Sequence, residues 1–116
     1  MTNPQVDKIE LSKYSQVIYA RAQELFTKHR NTRYWLTVVN ERYDQQFNFF
    51  FNIVPRGQRH KSIPLHTLER YSLPLLERTV AELRSVLPVT YEFVGFTGMT
   101  WPESGRVIQY RREFDE

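Results

Sequence analysis

Tyr34-Trp35-Leu36-Thr37-Val38-Val39-Asn40-Glu41-Arg42-Tyr43, the link Asp44-Gln45-Gln46, and Phe47-Asn48-Phe49-Phe50-Phe51-Asn52-Ile53-Val54 form the stretch on which the fold turns. β-Branched and aromatic residues crowd both flanks of the link. After it, Phe47, Phe49, Phe51 and Ile53 alternate with Asn48, Phe50, Asn52 and Val54, the period of a strand. Two such runs joined by so short a link predict an antiparallel hairpin. The link lacks Gly, so a two-residue primed turn is disfavoured and a loop of three or four residues is expected. That choice shifts the register by one and decides the face taken by Trp35 and Leu36. With a four-residue loop, Trp35, Val39 and Val54 share a face with Phe50, interrupted by Glu41, Asn48 and Asn52.

On the amino-terminal side, Tyr14, Val17, Ile18, Ala22, Leu25 and Phe26 recur at three- and four-residue steps, which predicts an amphipathic helix over 11–28. On the other side, Pro55-Arg56-Gly57 closes the strand, residues up to Pro64 read as a loop, and 65–71 as a short helical turn. Ser72 is an N-cap candidate for a second helix over 73–87, with Pro74 tolerated in its first turn, Leu76, Val80, Leu83 and Leu87 as its apolar stripe, and Pro88 ending it. Strands over 89–97 and 106–114 then flank the loop 98–105. The order is helix, hairpin, helix, hairpin. The predicted fold is a single α+β domain spanning 1–116, with 1–8 as a flexible tail. Two helices pack on one face of a four-stranded antiparallel sheet in this reading.

The chain has 116 residues, 41% of them hydrophobic and 15% aromatic, a supply that disordered or low-complexity sequences lack. It has no cysteine, which excludes disulfides, thiolate metal sites and a Cys nucleophile. The polar opening segment reads as no signal peptide, and the longest apolar run, Phe49-Phe50-Phe51, is far short of a membrane span. A soluble cytoplasmic protein with no membrane partner is expected.

Net charge is +3, but it is unevenly placed. No Asp or Glu occurs between Leu25 and Asn40 or between Gln45 and Leu68, and these windows hold Lys28, Arg30, Arg33, Arg56, Arg59 and Lys61. A hairpin brings its outer ends together, so both basic runs are expected to merge into one patch. His29 and His60 share that neighbourhood, and Tyr34, Trp35, Tyr110, Arg111 and Arg112 lie at its edge. Guanidinium forks, ammonium groups and stacking rings suit phosphates and bases. Ordinary solvated loop charges, some of them complementing a helix end, read equally well from the sequence.

Trp101, in the loop Gly98-Met99-Thr100-Trp101-Pro102-Glu103-Ser104-Gly105, is a candidate anchor for a partner, or else folds back over the sheet end. Phe50 is a second anchor candidate, because a sheet with apolar groups on both faces needs cover on both. A partner or a second copy of the chain, the latter giving a homodimer through the exposed sheet face, is one such cover; the second helix or the tail is the other reading. Support for catalysis is thin. No histidine has metal-ligand spacing, no nucleophile elbow or Gly-rich phosphate loop is present, and neither a metal nor a cofactor is expected. The leading reading is a non-enzymatic binding protein whose basic patch engages nucleic acid. The alternative is an adaptor or inhibitor docking on an acidic protein surface. A third is a small ribonuclease with His60 or His29 as base and Arg56 and Arg59 stabilising the transition-state charge.

Overall fold

A computed structural model describes residues 12–26 and 32–109. The predicted tail 1–8, the basic residues Lys28 and Arg30, His29, and Tyr110 to Arg112 lie outside the described residues. The elements run α1 (Lys13–Leu25), β1 (Arg33–Glu41), β2 (Gln46–Val54), β3 (Lys61–Leu68), α2 (Leu73–Val86) and β4 (Thr90–Val94).

The central hairpin forms around a four-residue turn, Arg42 to Gln45, with Gln45 at φ 53°. Its register pairs Glu41 with Gln46, Leu36 with Phe51 and Trp35 with Asn52. Leu36 and Val38 thereby join Phe47, Phe49 and Phe51 on one face, all at 0–2% exposure. Ile18 and Ala22 of α1 and Leu76, Val80 and Leu83 of α2 complete this core. Phe26 meets Phe51 edge-on at 5.1 Å and Phe47 stacks on Tyr71 at 4.9 Å. Each fully buried side chain of this size contributes about 1.5–3 kcal/mol of transfer free energy.

The sheet differs from the expectation of two antiparallel hairpins. Its order is β3-β2-β1-β4, and it is mixed: β1–β2 and β2–β3 are antiparallel, whereas β4 runs parallel to β1. β3 and β4 therefore point the same way on opposite sides of the central pair. A chain that must return to the starting end of the sheet needs a crossover, and α2, at about 1.5 Å rise per residue, spans that distance. The partner expected for 89–97 at 106–114 is replaced among the described residues by a single bridge, Thr100 with Val107.

The third strand is the element that sequence periodicity missed. Residues 61–68 include Pro64, which lacks an N–H, and β3 tolerates it as an edge strand. A bulge between Phe49–His66 and Phe50–Pro64 leaves Leu65 unpaired, so Leu65 and Leu68, three residues apart, both reach the core. That spacing imitates a helical turn, which is why 65–71 read as one.

Both helices are capped by their own sequence. The hydroxyl of Ser12 accepts from the Ser15 amide, and Ser72 accepts from the Leu75 amide, with Pro74 in the first turn of α2 as expected. The helices are tied by Glu82, whose Oε1 accepts from the Ser12 amide at 2.9 Å and from the buried Ser15 hydroxyl at 2.7 Å. Burial opposes the Glu82 charge, but the hydrogen bonds from Ser15 and Ser12 and the nearby Arg78 outweigh it and hold the carboxyl below its ordinary range.

β4 is followed by Gly95, which adopts φ +89° against β1; a Cβ there would stand 2.9 Å from the Asn40 carbonyl oxygen. Asn40, almost fully buried, donates to the Gly95 carbonyl at 3.0 Å and accepts from the Tyr71 hydroxyl at 2.6 Å. The buried amide thus joins the end of β1 to both connections that lead into and out of the α2–β4 crossover.

Candidate functional site

Both helices pack on the core face, so the opposite sheet face has no described helix over it. Trp35, Thr37 and Val39 of β1, Asn48, Phe50, Asn52 and Val54 of β2, and Glu92 and Val94 of β4 point there by register. Phe50 sits half-buried between Thr37 and Pro64. This is the face expected from a four-residue loop, with the addition that β4 supplies Glu92.

Four of the six basic residues stand at one end of the sheet, though not all of them on this face. Arg33 opens β1 opposite Val54, on the open face, whereas Lys61 opens β3 opposite Ile53, on the helix side. Arg56 and Arg59 lie in the connection between β2 and β3, turned by Gly57 at φ 71° and by a Gln58 amide bond to the Pro55 carbonyl at 3.0 Å. All four side chains are exposed. Among the described residues none of the four is held in an ion pair. Two of the six basic residues, Lys28 and Arg30, fall outside the described residues.

Next to these cations stands an aromatic column. His60 stacks on Trp35 with ring centroids 5.0 Å apart and planes 30° from parallel, and the Arg33 guanidinium lies 5.6 Å from the Trp35 centroid. Rings and guanidinium planes of this kind hold one another by dispersion and by cation–π attraction.

A hydrogen-bonded chain runs from the column across the sheet. Asn52 Nδ2 donates to the Trp35 carbonyl at 3.3 Å and to Thr37 Oγ1 at 2.7 Å. Thr37 donates to Glu92 Oε1 at 2.9 Å, and the Trp35 indole N–H donates to the same oxygen at 3.3 Å. His60 Nε2 meets Asn52 Oδ1 at 2.8 Å. Asn52 is only 3% exposed, so its polar groups must be satisfied within this chain rather than by solvent. Towards the hairpin end, Thr67 donates to Asn48 Oδ1 at 2.6 Å and Asn48 donates to Glu41 at 3.3 Å. Along β1 this face runs from Arg33 at one end to the carboxylates of Glu92 and Glu41 towards the other.

Sequence reasoning placed Asn48, Asn52 and Glu41 only as interruptions of an apolar face. Their role was announced by two amides on a Phe-rich strand at positions of equal parity, where a buried polar group requires a partner. Thr37 and Glu92 carried no such signal, because the β1–β4 pairing that joins them was not legible.

Trp101 is not an exposed anchor. It is 7% exposed, edge-on to Phe93 at 5.4 Å and 6.4 Å from Phe96. The reason is local: the Trp101 amide donates to the Arg106 carbonyl and the Gly105 amide to the Trp101 carbonyl, both at 2.8 Å, and the Glu77 carboxylate accepts from the Glu103 and Ser104 amides, pressing the turn against α2. A groove lined by Val80, Arg84, Trp101 and Arg106 runs beside it, with the Arg84 guanidinium 5.3 Å from the Tyr91 ring centroid. Burial raises the Tyr91 hydroxyl well above its usual range, with Arg84 opposing, and that hydroxyl donates to the Leu87 carbonyl at 3.0 Å.

His66 lies on the helix side of the sheet, 6.3 Å from the Tyr14 ring, and is no part of the basic face. Burial first and the Arg21 charge second lower its pKa, against the pull of Glu69. Among the described residues no group of three His, Cys, Asp or Glu side chains is arranged to hold a metal ion. No helix among them is long and apolar enough to cross a membrane. Compared with protein-family models, curated proteins and solved structures, the chain matches none.

Proposed function

We propose that the chain binds single-stranded nucleic acid on the sheet face opposite its helices. Phosphates run past Arg33, Arg56 and Arg59, while bases stack on the planes of the Arg33–Trp35–His60 column and reach towards Phe50. The observation that carries this reading is the station of that column beside exposed cations at one sheet end. Cations alone suit any polyanion. Stacked planes beside them suit a chain that alternates phosphates with flat rings. A broad sheet surface favours an unpaired strand, since a duplex offers its ring faces to no side chain.

The strand-binding reading predicts a steep salt dependence. Each phosphate contact to a single strand contributes a slope of about −0.7 in log K against log salt. Three contacts through the named cations give a slope of about −2. Fluorescence anisotropy with a labelled oligonucleotide measures it. Arg33→Glu combined with Arg56→Glu, both at exposed positions, should abolish binding without unfolding the chain. Unchanged retention by that double variant would refute the proposal.

A further inference from the structure

The donor and acceptor roles in the chain below His60 are fixed by the groups at its far end. The Trp35 carbonyl can only accept, so the Asn52 atom 3.3 Å from it is Nδ2. Nδ2 also donates to Thr37 Oγ1, whose own hydrogen therefore goes to the acceptor-only Glu92 carboxylate. Asn52 is then left with Oδ1 facing His60, and the nitrogen 2.8 Å from it, Nε2, must carry a hydrogen. In the neutral ring Nδ1 is consequently the acceptor. Nδ1 has no partner among the described residues, and His60 is exposed. The open face thus presents a hydrogen-bond acceptor on the residue that follows the exposed Arg59, on a ring held against Trp35.

A group that donates to such an acceptor from beside a bound phosphate is a sugar hydroxyl. Ribose has one at the 2′ position, next to the phosphate-bearing 3′ oxygen, and deoxyribose has none. We infer that His60, oriented by Asn52, Thr37 and Glu92, accepts a hydrogen bond from a ribose 2′-hydroxyl and makes this face selective for RNA over DNA. The inference rests on the nucleic-acid reading above and narrows its substrate class. Stacking on Trp35 keeps the imidazole at the right height, and the Asn52 contact keeps it from turning Nδ1 inward.

The test compares short oligo(rU), oligo(dU) and 2′-O-methyl oligo(rU) by anisotropy at one salt concentration. One neutral hydrogen bond corresponds to about five- to tenfold in affinity, so oligo(rU) should bind tighter than oligo(dU) by that factor. The methylated strand keeps the oxygen but loses the hydrogen and should bind like oligo(dU). His60→Phe keeps a stacking ring and should bind all three alike, at the oligo(dU) level. Equal binding of the three by the natural chain, with the steep salt dependence intact, would overturn the RNA inference and leave the broader reading standing. So would a preference for oligo(rU) that survives in His60→Phe. Absence of binding to all three would overturn both.

Discussion

Replacing Asn52 with Ala probes the centre of the sheet face. The side chain is 3% exposed and makes three contacts: to the Trp35 carbonyl, to Thr37 Oγ1 and with His60 Nε2. The three losses are unequal. His60 is exposed and recovers a water partner, so its share is small. Thr37 keeps its bond to Glu92 but loses the donor at 2.7 Å. A buried polar group deprived of its partner costs about 1–3 kcal/mol, and the small cavity adds to that, so the whole change should destabilise by about 2–3 kcal/mol. Urea unfolding at neutral pH measures this as a lowered midpoint at unchanged slope. A cycle with Thr37→Val separates the shared bond, with an expected coupling of about 1 kcal/mol. The tautomer provides a second readout. Long-range proton–nitrogen correlation spectra of the natural chain should show the hydrogen of the neutral ring on Nε2 of His60, and Asn52→Ala should release that preference. A hydrogen on Nδ1 in the natural chain, or a stability loss below a few tenths of a kcal/mol, would refute the reasoning.

Two further outcomes are expected. Trp101→Ala should destabilise by about 3–5 kcal/mol, as for a core aromatic, and a near-neutral change in thermal unfolding would return Trp101 to the surface. Stability should decline on acidification in two stages. His66 has a lowered pKa, so the unfolded state takes up its proton first and stability falls as pH drops below about 6.5. The Glu82 contribution is present above the ordinary carboxylate range and is lost as pH falls through its lowered folded value. His66→Gln should flatten the first stage and Ser15→Ala the second, read as urea midpoints across the pH range.

The central hairpin and both helices were legible because each is a local periodic pattern punctuated by its own signals. Phe47, Phe49 and Phe51 alternate, Ser72 caps, Pro74 sits where its missing N–H is harmless, and Pro88 follows the helix. The meeting of Arg33 with the far end of β2 also followed from sequence, since pairing two adjacent strands admits few registers. The identity of the third strand did not follow. Pro64 and the bulge at Leu65 break the two-residue period, and only the edge of an already formed sheet makes such a segment a strand.

What the amino-acid sequence determined by itself, then, was composition, the central hairpin, the two helices and the segregation of charge along the chain. What tertiary structure alone decided was the parallel pairing of β4 with β1, and with it the contact of Glu92 with Thr37 and Trp35. The physical reason is range. Helix caps and hairpins are settled by neighbours a few residues apart, whereas a strand delivered by a crossover finds its place only when the core beneath the sheet closes. The hydrogen-bonded chain below His60 spans both kinds: Asn52 is oriented by the Trp35 carbonyl within the hairpin, while the carboxylate that fixes Thr37 arrives on that last strand.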